Sequence, residues 1–460
     1  MYLLLHLNGG KAKDIVLDSF KTDFFSFTAY RLLITDMKES ILHYVWQNKL
    51  FRAHNLETTD AELLEIIDVG RMNTDAGPDF FNAKVKIGET VWAGNVEIHT
   101  NSSDWNKHNH QIDSAYNNVI LHVVFKADGE VYRADGESIP QLELTFPKQI
   151  EDNYEQLFSE TKWIPCADKI SLVPSIFIQS WKNALLTERL EQKMTVIECL
   201  LADTNQHWEE AFYITLARSF GFGTNSQAFE SLAKSISVSV LGKHKDNLFQ
   251  LEALLFGQAD LLITNDSNSY GQELRKEYDF LKTKYELTPI DGSQWKLLRL
   301  RPDNFPHIRI AQFAALIHSS SKLFSKIIEH PEIIYLKKLF TCEPSSFWKN
   351  HYLFADESPL KNKNLGTQSI HSILINTVVP FLFCYASHKN DEEMKDKALQ
   401  ILEQIPSERN SIVTNWQNIG LSSNSAYDSQ AFLQLKKQYC DEKKCLRCRI
   451  GHKVLTLQLN

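Results

Sequence analysis

The residues best suited to chemistry sit in two short segments, Gly77-Pro78-Asp79-Phe80 and, across one hairpin, Gly94-Asn95-Val96-Glu97-Ile98-His99. An acidic residue opening one strand and a carboxylate ending the next can converge on a divalent cation. Mg²⁺ or Mn²⁺ needs few protein oxygens, because waters and substrate complete its shell, so Asp79 and Glu97 with the Ile98 carbonyl suffice. Such an ion supplies an activated water and charge stabilisation for phosphodiester hydrolysis. His99 shares a strand face with Glu97, since residues two apart point the same way. It stands where it can act as a base or bind the metal itself.

Further polar groups crowd this region. Asn73 and Asp75 precede Asp79, while Asp104, His108, His110 and Asp113 follow His99. On a helix, His110 and Asp113 share a face. With His99 they form a donor set for Mn²⁺, Zn²⁺ or Fe²⁺. Glu39, on the first predicted helix, can approach from behind. The plainer alternatives are a turn aspartate, a solvated strand-end glutamate, loop histidines and a solvated helix-start glutamate. His122, inside an apolar strand, reads as a satisfied core histidine.

A second constellation lies near the C-terminus, where Cys440-x₄-Cys445-x₂-Cys448 is flanked by Lys443, Lys444, Arg447, Arg449 and His452. Three cysteines with His452 make a Zn²⁺ set, and recruitment of Cys166 instead gives four thiolates for Zn²⁺ or a [4Fe–4S] cluster. Packed or exposed thiols are the alternative. Arg299, Arg301 and Arg309, near Lys296 and His307, form the densest basic group of the second half and suit phosphate contacts. A solvated face is the competing reading. Gly221-Phe222-Gly223-Thr224 lacks the lysine and preceding strand of a phosphate loop and reads as a helix end.

These residues need elements to position them. Ile41, Leu42, Val45, Trp46 and Leu50 have helical spacing over 39–51. Residues 63–70 and 82–87 read as extended, and Gly88-Glu89 turns the chain into a strand over 91–99. The segment 104–116 has helix or loop character. Residues 119–125 fit a strand buried on both faces, and 131–132 with 141–146 suggest another strand pair. Beyond about 150 the pattern is helical, with a break at Gly221-Phe222-Gly223, a polar loop over 264–275 and an interruption between Pro302 and Pro306. Helices resume over 308–317, 369–385 and 392–404. The expected class is α+β: a mixed α/β domain over 37–150, then a mainly helical domain over 151–460 with a Cys-rich end. Residues 1–36 read as an N-terminal extension, with Met37 a candidate start.

The 460-residue chain has 43% hydrophobic and 23% charged residues, ordinary values for a globular protein. Its net charge of −8 gives no global basic field, so nucleic-acid binding would require a local basic surface. No segment reaches the roughly 18 apolar residues of a membrane helix. Seven cysteines in so long a chain argue against a disulfide scaffold and for a reducing cytoplasm.

Specific segments carry a resemblance. They are Asn73–Phe80, Trp92–His99, Ser103-Asp104-Trp105 with His108, His110, Asp113 and Tyr116, Val119–His122, Arg301–Pro306 and Cys445–Gly451. From Met37 onward the chain resembles a large, uncharacterised bacterial family of unknown function, which implies no established activity. Through Asp79, Glu97 and the strand order it is also similar to the PD-(D/E)XK nuclease superfamily. That similarity implies a restriction-endonuclease-like core, Mg or Mn as cofactor, nucleic acid as partner and metal-dependent phosphodiester hydrolysis. Asp79 and Glu97 would be ligands, and His99 stands where the superfamily usually has lysine. Some nucleases of that superfamily carry a cluster built from one distant and three C-terminal cysteines, which parallels Cys166 with Cys440, Cys445 and Cys448 at different spacing. The alternatives are a non-catalytic nucleic-acid-binding or assembly module, and a metallohydrolase using His99, His108, His110 and Asp113 on a smaller substrate.

Overall fold

A computed structural model of the chain describes residues 39–159, 162–262, 269–320 and 322–457. The expected N-terminal extension, 1–36, lies outside them. Two compact units emerge. The first runs to Cys166 and also takes in the segment from Cys445; the second is Ala167–Lys444. The Cys-rich end is thus split, with Cys445, Cys448 and His452 in the first unit and Cys440 in the second.

The first unit begins with helix α1 over residues 39–47. Its spacing puts Ile41, Leu42, Val45 and Trp46 on a buried face. The Trp46 indole donates to the Val69 carbonyl at 3.0 Å, which ties the helix to the sheet edge. Seven strands follow: β1 Leu56–Glu57, β2 Leu63–Asp68, β3 Arg71–Met72, β4 Phe80–Ile87, β5 Thr90–Asn101, β6 Val119–Lys126 and β7 Gln141–Glu143. They form one mixed sheet in the order β1-β2-β4-β5-β6-β7, with β3 also on β4. Pairing is antiparallel through β4–β5 and parallel for β5–β6 and β6–β7.

The β4–β5 hairpin closes through Gly88-Glu89, with Ile87 opposite Thr90 and Gly88 at φ 57°. This is the two-residue turn expected from the pattern. Strand β6 is buried from Val119 through Val124, as its apolar run requires. Gly94 is needed where β5 meets β6, because a Cβ there would lie 2.4 Å from Ile120 Cγ2 and 2.6 Å from Asn118 O. The expected strands over 131–132 and 141–146 shrink to a single bridge, Tyr132 to Ser138, and the three residues of β7. Helix α2, Asp104–Lys107, and two 3₁₀ turns fill the β5–β6 connection, and helix α3 covers Lys148–Ser159. A C-terminal helix, Arg449–Leu455, joins this unit: Asn153 donates to the Leu455 carbonyl at 3.0 Å, and Tyr44 Oη lies 2.8 Å from His452 Nδ1.

The second unit is helical among the described residues. Its longest helix is Ser175–Asp203, and the Gly221 break closes the helix Trp208–Phe220. The second half of the expected loop over 264–275 is helical, within the helix Ser269–Tyr285, and its first half lies outside the described residues. Good helix formers and the buried Leu274 override the local polarity. The proline interruption is a short 3₁₀ turn, Pro302–Asn304, after which Pro306 opens the helix Pro306–Ser319. Proline is well suited to that first position. One helical stretch, Thr367–Lys389, is long and apolar enough to cross a membrane by composition, with mean hydropathy 1.5, but 78% of its apolar window is buried within the protein. It serves here as a core helix.

Candidate metal centre

Strand register assembles the site. In the parallel β5–β6 pair Glu97 is opposite His122, so their side chains and that of His99 share one face. On the antiparallel side Phe80 is opposite Val96, which brings Asp79 beside Glu97. The two carboxylates lock each other's backbone. Asp79 N donates to Glu97 Oε2 at 3.1 Å, and Ile98 N donates to Asp79 Oδ2 at 2.9 Å. Asp79 Oδ2 also faces His43 Nε2 of α1 at 3.2 Å.

Glu97 Oε1 points instead at the histidines, 3.2 Å from His110 Nε2 and 3.5 Å from His99 Nε2. His99 Nε2 lies 3.0 Å from His108 Nδ1. His99, His108 and His110 each offer a ring nitrogen, and these lie within 4.8 Å of one another. A tetrahedral metal with bonds of 2.0–2.1 Å has ligand–ligand edges of about 3.3 Å, and the three observed separations bracket that value. His110 Nε2 is buried and, despite its closeness to Glu97, makes no aligned hydrogen bond. Buried nitrogens normally find such a partner; a cation between these groups would satisfy it.

The connection after β5 is shaped to deliver the two loop histidines. Asn109, between His108 and His110, adopts the left-handed region at φ 63°, which asparagine tolerates better than most residues. The reversal at Asn109 carries both neighbouring imidazoles toward His99. The His110 ring stacks on Tyr116 at 3.7 Å between centroids and meets Trp105 edge-on at 5.3 Å. Trp105 and Tyr116 belong to a buried cluster with Val119, Val131 and Ile139. The Trp105 indole donates to the Tyr132 carbonyl at 3.1 Å, which fixes the turn.

The electrostatics favour a cation. Burial, reinforced by His122, His108 and His110, pushes His99 down to about 2, and burial brings His122 to about 4. Burial also lowers His110. Neutral imidazole is the ligand form. Burial and the neighbouring Asp79 charge raise Glu97 to about 9. For His43, burial opposes the charged form, but hydrogen bonding and charge from Asp79 outweigh it and raise its pKa. Among the described residues, no lysine or arginine is among the strongest charges acting on these groups.

A second layer orients His99. Its Nδ1 is 2.9 Å from His122 Nε2. His122 pairs with Gln141 across β6–β7, and the Gln141 amide favours the protonated ring. Gln141 Nε2 donates to the Gly129 carbonyl at 2.9 Å, which turns its oxygen away from that bond. His122 is therefore more than a core residue: it contacts the centre from behind.

The other expected residues divide. Glu39 lies one turn before His43, and its charge acts on His43, Glu97 and His110. Asn73 braces the loop before Asp79: its amide donates to Asp75 O, Ala76 O and Pro78 O, while its oxygen accepts from Asp75 N. Asp75 is exposed. Asp104 accepts from Asn101 and Lys107, away from the cluster. Asp113 does not join His110 on a helix face; it is exposed and caps the next turn by accepting from Ala115 N. His43, His122, Tyr116 and Gln141 were not singled out as site residues by sequence. A histidine inside the unbroken apolar run of β6 was the available signal for His122.

Cys166, Cys445 and Cys448 share the first unit, and after burial the charges of Cys448 and Cys445 help raise the Cys166 thiol to about 12. His452 Nδ1 is taken by Tyr44. The three arginines do not form one surface. Arg299 and Arg301 are exposed, whereas Arg309 is buried against the Phe222 ring and donates to Gln312, Asn304 and Ser369.

No curated protein and no solved structure matches the chain. The sequence profile of one family, described as "Protein of unknown function (DUF2851)", matches residues 39–411. The match spans most of the chain, and the protein belongs to that family.

Proposed function

We propose that the protein is a metal-dependent hydrolase whose metal is held by His99, His108 and His110, with Glu97 Oε1 as fourth donor. The observation that carries this reading is the convergence of three imidazole nitrogens within 4.8 Å beside a buried carboxylate oxygen. A divalent ion that accepts more than four ligands, such as Mn²⁺, would keep room for a water beside these four donors and would supply Lewis-acid activation of it. In this reading His99 is a ligand rather than a base, because both its nitrogens are engaged. His43 takes over the proton-transfer role: it is partly exposed and held by Asp79 at 3.2 Å. Asp79 holds His43 and locks the β5 backbone below Glu97.

The phosphodiester of a nucleic acid is the substrate class suggested by the Asp79–Glu97 hairpin and the strand order of the PD-(D/E)XK nucleases. A second reading, a smaller uncharged substrate, draws support from the fact that, among the described residues, no lysine or arginine is among the strongest charges acting on Glu97 and His99.

Full-length protein loaded with Mn²⁺ or Zn²⁺ should be offered single- and double-stranded DNA and RNA alongside small phosphodiester and carboxylic esters. The account expects turnover of at least one class, reduced about 10²–10⁴-fold by His43→Ala and abolished by Glu97→Ala. Equal turnover in those variants would contradict the assignment, and turnover of small esters alone would favour the second reading.

A further inference from the structure

The helical unit contains a cavity of about 770 Å³ that the proposed hydrolase centre does not use. Its walls come from the helices Ser175–Asp203, Trp208–Phe220, Ser226–Ser235 and the stretch Thr367–Lys389. This volume lies in the range of small-molecule sites.

One wall carries a local departure from α-helix, with a cause that can be traced. Residues Leu374–Val378 form a π turn in which Val379 N–H reaches back to Leu374 O. The next donor in register would be at residue 380, but Pro380 has no N–H. The Ile375 carbonyl is left turned outward, and Lys193 Nζ approaches it at 3.4 Å and Asn376 Oδ1 at 3.1 Å. Such π turns recur at functional sites.

The opposing helix presents Arg189 and Lys193 one turn apart on the same face. Among the described residues neither touches a carboxylate: Arg189 donates to the amide oxygens of Gln430 and Gln434, and Lys193 to the two oxygens above. At the rim, Arg218 and Lys234 are both paired with Glu230. The inner cations therefore lack a direct counter-charge, while Val196, Ile197, Leu200 and Ile214 supply apolar wall.

We propose that this cavity binds a small organic phosphate, its phosphoryl group between Lys193 and Arg189 and its apolar part against Ile197, Leu200 and Ile214. Two adjacent cations suit a dianionic group. Burial, and then the neighbouring Arg189, lower the Lys193 ammonium to about 7, with Glu408 opposing. An incoming phosphate would favour its charged form, and the neutral fraction makes the amine reactive in the free protein.

The test uses pyridoxal 5′-phosphate, which carries both a phosphate and an aldehyde. The Lys193 amine adds to the aldehyde carbon and water leaves, giving an imine; borohydride then delivers hydride to that carbon and fixes a secondary amine. Full-length protein is treated at neutral pH with pyridoxal 5′-phosphate or with pyridoxal, reduced and peptide-mapped. The expected result is labelling of Lys193 at least about tenfold faster by the phosphorylated reagent than by pyridoxal, suppressed by inorganic pyrophosphate. Arg189→Gln should remove this advantage and Arg189→Lys should retain it, with unchanged circular dichroism in both. Equal labelling by the two reagents, or no labelling of Lys193, would overturn the proposal.

Discussion

At the scale of single residues, the centre is organised by which atom of each side chain is already committed. Asp79 Oδ2 serves the Ile98 N–H and faces His43, and Glu97 Oε2 serves the Asp79 N–H, so Glu97 Oε1 is the oxygen aimed at His99 and His110. His99 Nδ1 is directed to His122, so its Nε2 faces the other donors. For Nε2 to bind a cation, Nδ1 must carry the proton and donate to His122 Nε2, whose own proton then resides on Nδ1 beside Gln141. Residues that orient a metal-binding histidine typically contribute 10–100-fold to metal affinity. Gln141→Leu is therefore expected to weaken Zn²⁺ binding by about that factor, measured by competition with a chromophoric chelator. Asp113→Asn should leave it unchanged, because Asp113 only caps a turn. The convergence of Asp79, Glu97, His99, His108 and His110 was legible from residue type and spacing. Their division of labour was not, since it depends on which oxygen the strand register leaves available.

At the scale of elements, the hairpin and the buried strand followed from local pattern, whereas the β5–β6 connection did not. Period-two alternation and Gly88-Glu89 specify β4–β5 without outside help. The segment 104–116 has no periodicity to read; its turns are set by burial of Trp105 and Tyr116 with Val119, Val131 and Ile139. The left-handed Asn109 is the pivot. Asn109→Gly should preserve metal affinity, whereas the β-branched Asn109→Val should weaken it by misdirecting His108 and His110. Gly94→Ala tests the strand approach: overpacking against Ile120 and the Asn118 carbonyl should cost about 1–3 kcal/mol in chemical denaturation. The polar residues 269–275 misled for a different reason. Helix Ser269–Tyr285 is held by packing of Leu274, Tyr278 and Leu281, which composition alone does not reveal.

At the scale of the molecule, an α+β unit carries the histidine cluster and a helical unit carries the cavity lined by Lys193 and Arg189. The α+β class and the helical second half were readable from periodicity; the return of the C-terminal segment to the first unit was not, because the Tyr44–His452 contact joins residues 408 positions apart. The helical unit should also be acid-sensitive. Burial lowers His307 to about 4, and the ring packs among Phe256, Trp348 and Phe354 with its Nδ1 unsatisfied. The unfolded chain then binds the extra proton first, so stability falls as pH drops from about 6.5 to about 4. His307→Leu should flatten that part of the pH–stability curve, read from chemical denaturation of the full-length protein. The most direct test of the central claim is the transition-metal content of full-length protein after reloading with Zn²⁺ and removal of excess, compared between the natural sequence and His110→Ala. The account predicts loss of one equivalent per chain with retained secondary structure; equal metal content in the two proteins would contradict it.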